Sequence, residues 1–394
     1  MAVFEPSHLL NRLPEQFFAS LTRKVQKLQK EGVTLINLGQ GNPDRAAPAP
    51  IVEKMQEAAA DPVNHKYSPF RGYASLKQAA AAFYKKEYDV DLDPETEIAV
   101  LFGSKAGLVE LSQCLLNEGD TALLPDPGYP DYLSGIALAK AESAFMPLLE
   151  KNGFLPDYTA ISEETWKKAK ALFLNYPNNP TAAGADRTFF EDTVKYAEKH
   201  HVCVIHDFAY GALGFDGVKP PSFLQTPGAK ETGVELYTLS KTYNMAGWRV
   251  AVAAGNASVI ESLNLLQDHM YVSIFGAVQE AAAFALTSDQ TEVYEQAVIY
   301  ENRRNVFLEE LEKGGIKALP SAGTFFVWLA VPKGWTSAAY AEVLLEKARI
   351  VTAPGSGFGS KGEGYIRISL LESEEQLQEA ARRIAEQTKA LHSL

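Results

Sequence analysis

Cysteine, positive charge and long apolar runs are all scarce in this chain of 394 residues. The two cysteines, Cys114 and Cys203, argue against a disulfide framework and suit a reducing compartment. The 37 lysines and arginines against 49 acidic residues leave a net charge of −12, which disfavours nucleic acid as a partner. No apolar stretch is long enough to span a membrane, and the first residues lack the apolar run of a signal peptide. We therefore expect a cytoplasmic protein that binds small molecules through a few placed side chains.

Histidine is also scarce, and its one local cluster does not predict a metal site. His200, His201 and His206 lie near Cys203, but their spacing matches no zinc pattern. A strand with its capping turn explains them better. The glycines between residues 355 and 364 lack the strand, loop and helix that surround a nucleotide fingerprint. The sequence therefore predicts neither a metal nor a dinucleotide.

Short aliphatic strands alternate with helix-like runs through the middle of the chain. This alternation is typical of a mostly parallel sheet that is covered by helices. After about residue 290 the pattern changes to a long charged helix, a few strands and a closing helix, which indicates a smaller α+β domain. We predict an arm over 1–45 that joins this small domain, a large domain over 46–288 and the small domain over 289–394. The strands predicted for the large domain are 98–102, 121–125, 171–176, 202–206, 235–239 and 250–254.

Lys241 follows a predicted buried strand and is preceded by the hydroxyls of Thr238 and Ser240. A lysine that captures an aldehyde must be desolvated, because only its neutral amine attacks a carbonyl. The two hydroxyls can donate to a phosphate, and Arg249 can bind the same phosphate as a charged fork. The alternative is a surface lysine in a loop, which would be the better interpretation of a lysine without these neighbours.

The stretch 237–249 resembles, almost residue for residue, the lysine motif of the class I and II aminotransferases. Further motifs of that family follow in the family's order between Asn37 and Arg367. The resemblance implies an α/β protein of the type-I pyridoxal-phosphate transferase fold, with a mostly parallel seven-stranded sheet between helices and a smaller α+β domain. It also implies pyridoxal 5'-phosphate held as a Schiff base on Lys241, and a homodimer with shared active sites.

The family motifs assign cofactor contacts to residues spread along the chain. Asp207 follows a strand, where ligands bind in parallel sheets, and by resemblance it pairs with the protonated pyridine nitrogen. A helix N-cap is the alternative for Asp207. By resemblance Asn179 and Tyr210 bond the ring oxygen and Tyr129 stacks on the ring. The phosphate contacts implied are Ser104, Lys105 and Ala106 at a helix start, Thr238, Ser240, Arg249, and Tyr67 from the neighbouring subunit.

Two motifs address the substrate. The stretch 364–369 resembles the strand whose arginine, here Arg367, grips the substrate carboxylate with its planar fork. Gly41 lies in a segment that resembles the one closing over that carboxylate, and Asn179 is assigned to the same site. A surface cation on an edge strand is the alternative for Arg367. The catalytic roles fall to Lys241 as general base and acid, with Asp207 and Tyr210 tuning the cofactor.

Two positions depart from the family pattern. Ala182 follows Thr181 where the family usually has glycine, and Ala251 follows Val250 where glycine is also usual. Both add a methyl group near the cofactor, so we expect local differences in the backbone there.

The side-chain specificity is read from the segment 267–273, which has no arginine for a distal carboxylate. Met270, Tyr271 and Phe275 suit an apolar substrate side chain. We therefore predict a transaminase for a neutral substrate such as the thioether keto acid of methionine salvage, as in the Bacillus-type salvage enzymes. An LL-diaminopimelate aminotransferase and a C–S β-lyase on the same scaffold remain the alternatives.

Overall fold

The structure is a computed structural model and describes residues 3–14 and 17–392. The strands in this part of the chain are β1 (Ile36–Asn37), β2 (Ile98–Leu101), β3 (Thr121–Asp126), β4 (Glu142–Pro147), β5 (Ala169–Leu174), β6 (Cys203–Asp207), β7 (Gly233–Thr238), β8 (Ala251–Gly255), β9 (Phe326–Ala330), β10 (Ile350–Val351), β11 (Ala353–Pro354) and β12 (Tyr365–Ser369). The helices are α1 (Phe17–Lys30), α2 (Ala49–Ala60), α3 (Ala74–Tyr88), α4 (Ser104–Leu115), α5 (Tyr132–Leu138), α6 (Glu163–Lys168), α7 (Arg187–His200), α8 (Ala229–Thr232), α9 (Leu239–Thr242), α10 (Ala257–Met270), α11 (Gly276–Thr287), α12 (Thr291–Lys313), α13 (Ser337–Val343) and α14 (Glu374–His392).

The largest sheet has seven strands in the order β2-β8-β7-β6-β5-β3-β4. Its neighbours run parallel, except that β8 is antiparallel to both β2 and β7. Alternate residues of one strand enter different cores: Ala99 and Leu101 join one buried cluster and Val100 joins another. Helices therefore cover both faces, which explains why the strands are continuously apolar. The predicted α/β fold with a mostly parallel seven-stranded sheet is confirmed.

All six predicted strands of this sheet overlap an observed strand, but the seventh, β4, was not predicted. It lies at the edge of the sheet, where it pairs with β3 alone. Its side chains are mostly exposed or half-buried, and Phe145 is 52% exposed. An edge strand of this kind carries little of the aliphatic signal that marks a central strand, so the sequence pattern is weak there.

A smaller antiparallel sheet, in the order β11-β12-β9, lies in the second half of the chain. Helices α12 and α14 pack against each other and against it, with Phe307, Val327 and Ile384 in one buried cluster. The arm contacts the same region, because β1 pairs with β10 and Val25 of α1 packs against Leu345 and Val351. The domain limits at residues 45 and 288 stay a prediction.

No helix in the described ranges combines the length and the apolarity needed to cross a membrane.

Candidate active site

A cavity of about 750 Å³ opens at the carboxyl ends of β5, β6 and β7. This is the edge at which α/β sheets bind their ligands, because loops and helix starts converge there. The structure brings most of the predicted site residues to this one cavity. Those that line it are Gly41, Ser104, Lys105, Tyr129, Asn179, Asp207, Tyr210, Thr238, Ser240, Lys241, Arg249 and Arg367.

One end of the cavity is built to hold an anion. Helix α4 begins at Ser104, and the first backbone N–H groups of a helix attract negative charge. The Arg249 guanidinium is held beside them by the carbonyl oxygen of Ala246, which accepts from Nη1 at 2.8 Å. Gly103 allows this approach, because a Cβ there would lie 2.4 Å from Arg249 Nη2. The Oγ of Ser104 is buried and has no hydrogen-bond partner among the described residues.

Three other predicted phosphate contacts, Lys105, Ala106 and Tyr67, do not bring their side chains to this anion site as Ser104 and Arg249 do. The Nζ of Lys105 pairs with Asp131 Oδ2 at 2.9 Å, so its side chain is engaged outside the anion site. Ala106 is not among the residues that line the cavity. Tyr67 is 91% exposed and also lies outside the lining of its own chain's cavity. The predicted role of Tyr67 needs a neighbouring subunit and stays a prediction, as do the backbone contacts of Lys105 and Ala106.

Lys241 lies on the short helix α9, directly after β7. Thr238 caps this helix by accepting from the Ser240 N–H at 3.1 Å, which leaves the Thr238 hydroxyl hydrogen to donate into the cavity. The Lys241 Nζ donates to the carbonyl oxygen of Gly41 at 2.8 Å. Burial, together with the charges of Arg367 and Arg249, lowers the pKa of Lys241 to about 8, against the raising effect of Asp207. The amine is thereby made a nucleophile near neutral pH.

Asp207 is the last residue of β6, and a turn rather than a helix follows it, so the N-cap alternative is wrong. Its Oδ2 accepts from the Tyr132 hydroxyl at 3.0 Å. Its Oδ1 is buried and has no hydrogen-bond partner among the described residues. Burial raises the pKa of Asp207 to about 6, against the lowering effect of Tyr132, His206 and Lys241. The carboxylate therefore has one oxygen fixed and one oxygen available to a cationic N–H.

Arg367 is 1% exposed and lies on β12, the middle strand of the small sheet, so it is not a surface cation on an edge strand. Its Nη1 donates to Asn179 Oδ1 at 2.8 Å and its Nη2 to the Gly39 carbonyl oxygen at 3.2 Å. The guanidinium carbon lies 4.0 Å from the centre of the Phe326 ring. Burial lowers the pKa of Arg367 to about 10, which still leaves a cation at neutral pH. These two hydrogen bonds are to neutral oxygen atoms, so a carboxylate is the ligand that this cation favours.

Tyr132 and Asn175 hold Asp207 in place, and neither had a predicted role. Tyr132 orients Asp207 through the hydrogen bond described above. Asn175 joins both halves of the site, because its Nδ2 donates to the Asp207 carbonyl oxygen at 2.7 Å and its Oδ1 accepts from the Asn179 N–H at 2.8 Å. Asn175 begins the asparagine-proline loop of residues 175–181, which also contains Asn179. Its link to Asp207 depends on the pairing of β5 with β6 and could not be predicted from the sequence.

Tyr129 and Tyr210 line the cavity, and each is packed against a neighbouring ring. Tyr129 meets Tyr132 edge to face, with ring centres 5.5 Å apart. Tyr210 meets Phe325 in the same way at 5.4 Å. Burial raises the pKa of the Tyr210 hydroxyl, which keeps it a hydrogen-bond donor at neutral pH.

The histidines near Cys203 have structural partners. His206 Nδ1 lies 2.8 Å from Glu235 Oε2, and its Nε2 accepts from the Tyr176 N–H at 3.3 Å. His200 stacks on Trp166, with ring centres 4.4 Å apart. Within residues 3–14 and 17–392, no group of side chains is placed to hold a metal ion.

The glycine-rich segment before Arg367 does not line the cavity. Instead it packs on the end of β3, where Ser360 Oγ and the Lys361 N–H donate to the Asp126 carboxylate at 2.7 and 2.9 Å. Gly359 (φ +131°) is needed there, because a Cβ would lie 2.2 Å from Asp126 Oδ1. Close packing against the end of β3 therefore explains this segment.

The departure at Ala182 has a visible backbone consequence. Ala182 is buried and has a φ of +58°, a left-handed conformation that glycine adopts more easily. Its N–H donates to the Asn178 carbonyl oxygen at 2.8 Å, which fixes the turn after the asparagine-proline loop. The second departure, Ala251, is a buried residue within β8.

Residues 33–384 match the sequence model of the family described as aminotransferase class I and II. The chain belongs to this family. The match covers most of the chain and includes all the cavity-lining residues outside α1. Its members depend on pyridoxal phosphate, and this protein is an aminotransferase.

Individual relatives align over nearly the whole aminotransferase chain. It is 62% identical over 381 residues to the L-glutamine–4-(methylsulfanyl)-2-oxobutanoate aminotransferase of Bacillus subtilis, which covers 97% of this chain and 96% of the relative. It is 44% identical over 375 residues to the LL-diaminopimelate aminotransferase of Moorella thermoacetica, at 95% and 96% coverage. The solved structure of substrate-bound BacF from Bacillus subtilis superimposes with a TM-score of 0.93 at 48% identity, and each chain is covered to 98%.

The side chains of the cavity fit pyridoxal phosphate. The buried Ser104 Oγ and Asp207 Oδ1 have no hydrogen-bond partner within the described part of the chain, and they lie at an anion site and beside Lys241, respectively. A phosphate and a protonated ring nitrogen are groups that would satisfy these two atoms. A lysine with a lowered pKa is the group that an aldehyde requires.

The segment 267–273 does not line the cavity of its own chain. Met270 and Phe275 are 53% and 44% exposed, and the Tyr271 hydroxyl donates to the buried carboxylate of Glu110. A contribution of this segment to substrate binding would therefore have to be made in another subunit.

Proposed function

We propose that this aminotransferase transfers the amino group of L-glutamine to 4-(methylsulfanyl)-2-oxobutanoate, which gives methionine. The observation that carries the proposal is the greater identity to the Bacillus subtilis relative named for these two substrates than to the LL-diaminopimelate relative. The charges of the cavity agree with it. The charged side chains among the described lining residues are Lys105, Asp207, Lys241, Arg249 and Arg367, and none is left over for a charged distal group.

In the proposed site each part of the cofactor meets a different element. The start of α4 and Arg249 would hold the phosphate, Asp207 would hold the ring nitrogen, and the Lys241 amine would be the group that meets the aldehyde. The side chains that complete this arrangement are Ser104, Thr238 and Ser240 at the phosphate, Asn179 and Tyr210 at the ring oxygen, and Tyr129 against the ring face.

The reaction then follows from where the chain's own groups lie. Arg367 binds the substrate carboxylate and so brings the α-carbon towards Lys241. With its amine free, Lys241 would take the proton from the substrate α-carbon and deliver it to the cofactor carbon that receives the amino group. Bound pyridoxal phosphate would supply the electron-withdrawing ring that makes this proton acidic. The Asp207 carboxylate, with one oxygen available, would keep the ring nitrogen protonated.

The test is a matrix of amino donors and keto acids offered to the purified enzyme, with the product followed by chromatography. We expect methionine from glutamine and the thioether keto acid with the highest kcat/KM of the panel. Exclusive turnover of LL-diaminopimelate with 2-oxoglutarate would contradict the substrate. Pyruvate and ammonia from cystathionine without any keto acid would instead indicate a β-lyase.

We also propose a cytoplasmic homodimer in which Tyr67 reaches the partner's cavity. Tyr67 and Phe70 are 91% and 55% exposed, and their segment is joined to that of Met270 and Phe275 by the hydrogen bond from Ser68 Oγ to the Ile274 carbonyl oxygen at 3.0 Å. Exposed apolar residues on two adjacent segments form a surface that suits an interface. Sedimentation analysis should give a dimer, and Phe275→Asp should give an inactive monomer. A fully active monomer would exclude the shared site.

A further inference from the structure

One wall of the active-site cavity has no part in holding the cofactor or the substrate's carboxylate and amine. It consists of Leu21, Thr22, Val25, Gln26 and Gln29, all on helix α1. The helix lies over the carboxylate-binding segment, since the Leu21 Cδ2 would be 3.1 Å from a Cβ placed on Gly39. The remaining space for a substrate side chain therefore ends on α1.

The two sides of α1 differ in character. Val25 is buried against Leu345 and Val351, with Leu21 and Leu28 packed beside it, so this apolar side fixes the helix next to β10, and its edge at Leu21 and Val25 also borders the cavity. Thr22, Gln26 and Gln29 are spaced i, i+4 and i+7, which places them along one face of a helix. That face lines the cavity. The charged residues of α1 within the described range do not line it.

We propose that Gln26 and Gln29 determine the choice of amino donor by binding the side-chain carboxamide of glutamine. This inference rests on the proposed function, because it assumes glutamine as the donor. A primary amide carries two donor hydrogens and an acceptor oxygen, and a glutamine side chain offers the same set in return. Two such side chains can therefore satisfy both ends of the substrate's amide.

The same wall must accept a thioether in the second half of the reaction. Gln26 and Gln29 are exposed, so water satisfies their amides when the bound side chain offers no hydrogen bond. The thioether then lies against the apolar part of the wall at Leu21 and Val25. A buried amide pair would reject the thioether, because its polar groups would be left unsatisfied. Exposed glutamines allow both substrates at one position.

The test compares Gln26→Ala, Gln29→Ala and the double variant with Lys27→Ala, whose side chain is on the same helix but outside the cavity lining. Each glutamine variant should raise the KM for glutamine about three- to tenfold, the effect of one hydrogen bond to a neutral group. The kcat at saturating glutamine should hold. With methionine as the donor, the kcat/KM should change less than about twofold, and Lys27→Ala should match the unmodified enzyme with both donors.

The two proposals fail in different ways. Equal losses with glutamine and methionine, or no loss with either, would overturn the role of Gln26 and Gln29 while leaving the transaminase reaction intact. If the unmodified enzyme itself fails to use glutamine, the proposed donor is wrong and this inference falls with it. A selective loss with glutamine supports both.

Discussion

The two ends of the active-site cavity are built differently. At the floor, Asp207, Lys241 and Arg249 lie at or just beyond the ends of central strands, and each is held by a hydrogen bond to a fixed group. At the mouth, a single helix closes the cavity with an uncharged face. Its contacts to the rest of the chain include the packing of Val25 and the ion pair of Lys24 with Glu342.

This difference separates the residues that carry out the reaction from those that select the substrate. Asp207 at the floor is buried and Lys241 is half-buried, so their positions and pKa values depend on many neighbours, and few substitutions there are compatible with catalysis. The polar side chains at the mouth can change at little cost in stability, because Thr22, Gln26 and Gln29 are exposed and belong to one peripheral helix. A change of substrate at α1 therefore needs no change at the floor.

The largest expected effect is at the floor. Lys241→Ala should lower kcat by at least about 10³-fold, since it removes both the covalent attachment and the group that moves the proton. Borohydride reduction followed by mass spectrometry should label the peptide of Lys241 in the unmodified enzyme and not in the variant.

Lys105→Ala is the matched control, because this lysine lines the same cavity but pairs with Asp131. It should keep most of the activity and the label on Lys241. Substantial turnover by Lys241→Ala would show that another group carries the proton.

Most of the residues at the floor of the cavity were predicted from the sequence, but few of those at its mouth were. Lys241 and Asp207 were found because each follows an apolar strand within a short motif, so local pattern and site coincide. Tyr132 was not found, because its partner Asp207 is 75 residues away in the chain. The polar face of α1 was not found either. Residues spaced like Thr22, Gln26 and Gln29 look like any solvated helix face until the helix is seen over the cavity.

Arg367→Lys tests whether Arg367 binds the carboxylate, which all the amino acids share, or the side chain, which differs between them. The lysine cannot reproduce the fork that contacts Asn179 and Gly39, so kcat/KM should fall by roughly 10²-fold for every amino acid alike. Steady-state kinetics with glutamine, methionine and alanine measure this. The control is Arg383→Lys, on α14, where the guanidinium contacts Glu379 and the Ala348 carbonyl. A loss confined to one amino acid would assign Arg367 to the side chain rather than the carboxylate.

Tyr132→Phe should change the pH dependence more than the maximal rate. The hydrogen bond stabilises the charged form of Asp207, so its loss should raise the pKa of this carboxyl by up to about one unit. Because the ionised carboxylate is the active form, the acidic limb of the kcat/KM profile should move to higher pH, so the loss should be largest at the lowest pH measured and smallest at high pH.

The control for this shift is Tyr158→Phe, which removes an equally buried hydroxyl that bonds Thr193 outside the cavity lining. Its profile should coincide with that of the unmodified enzyme. A uniform loss at all pH values in Tyr132→Phe would mean that the hydroxyl acts on packing rather than on the charge of Asp207.

The smallest effects are expected at the mouth, and they tell which contact holds α1. Lys24 and Glu342 are both 46% exposed, and an exposed ion pair contributes about 0–1 kcal/mol, so Lys24→Ala should raise the KM for glutamine less than about twofold. Val25 is 7% exposed, and Val25→Ala removes buried methyl groups. The helix should then detach from the cavity for part of the time, which should raise the KM for glutamine about three- to tenfold. Limited proteolysis should cut α1 faster in Val25→Ala than in Lys24→Ala. The reverse order would show that charge, rather than apolar packing, closes the cavity.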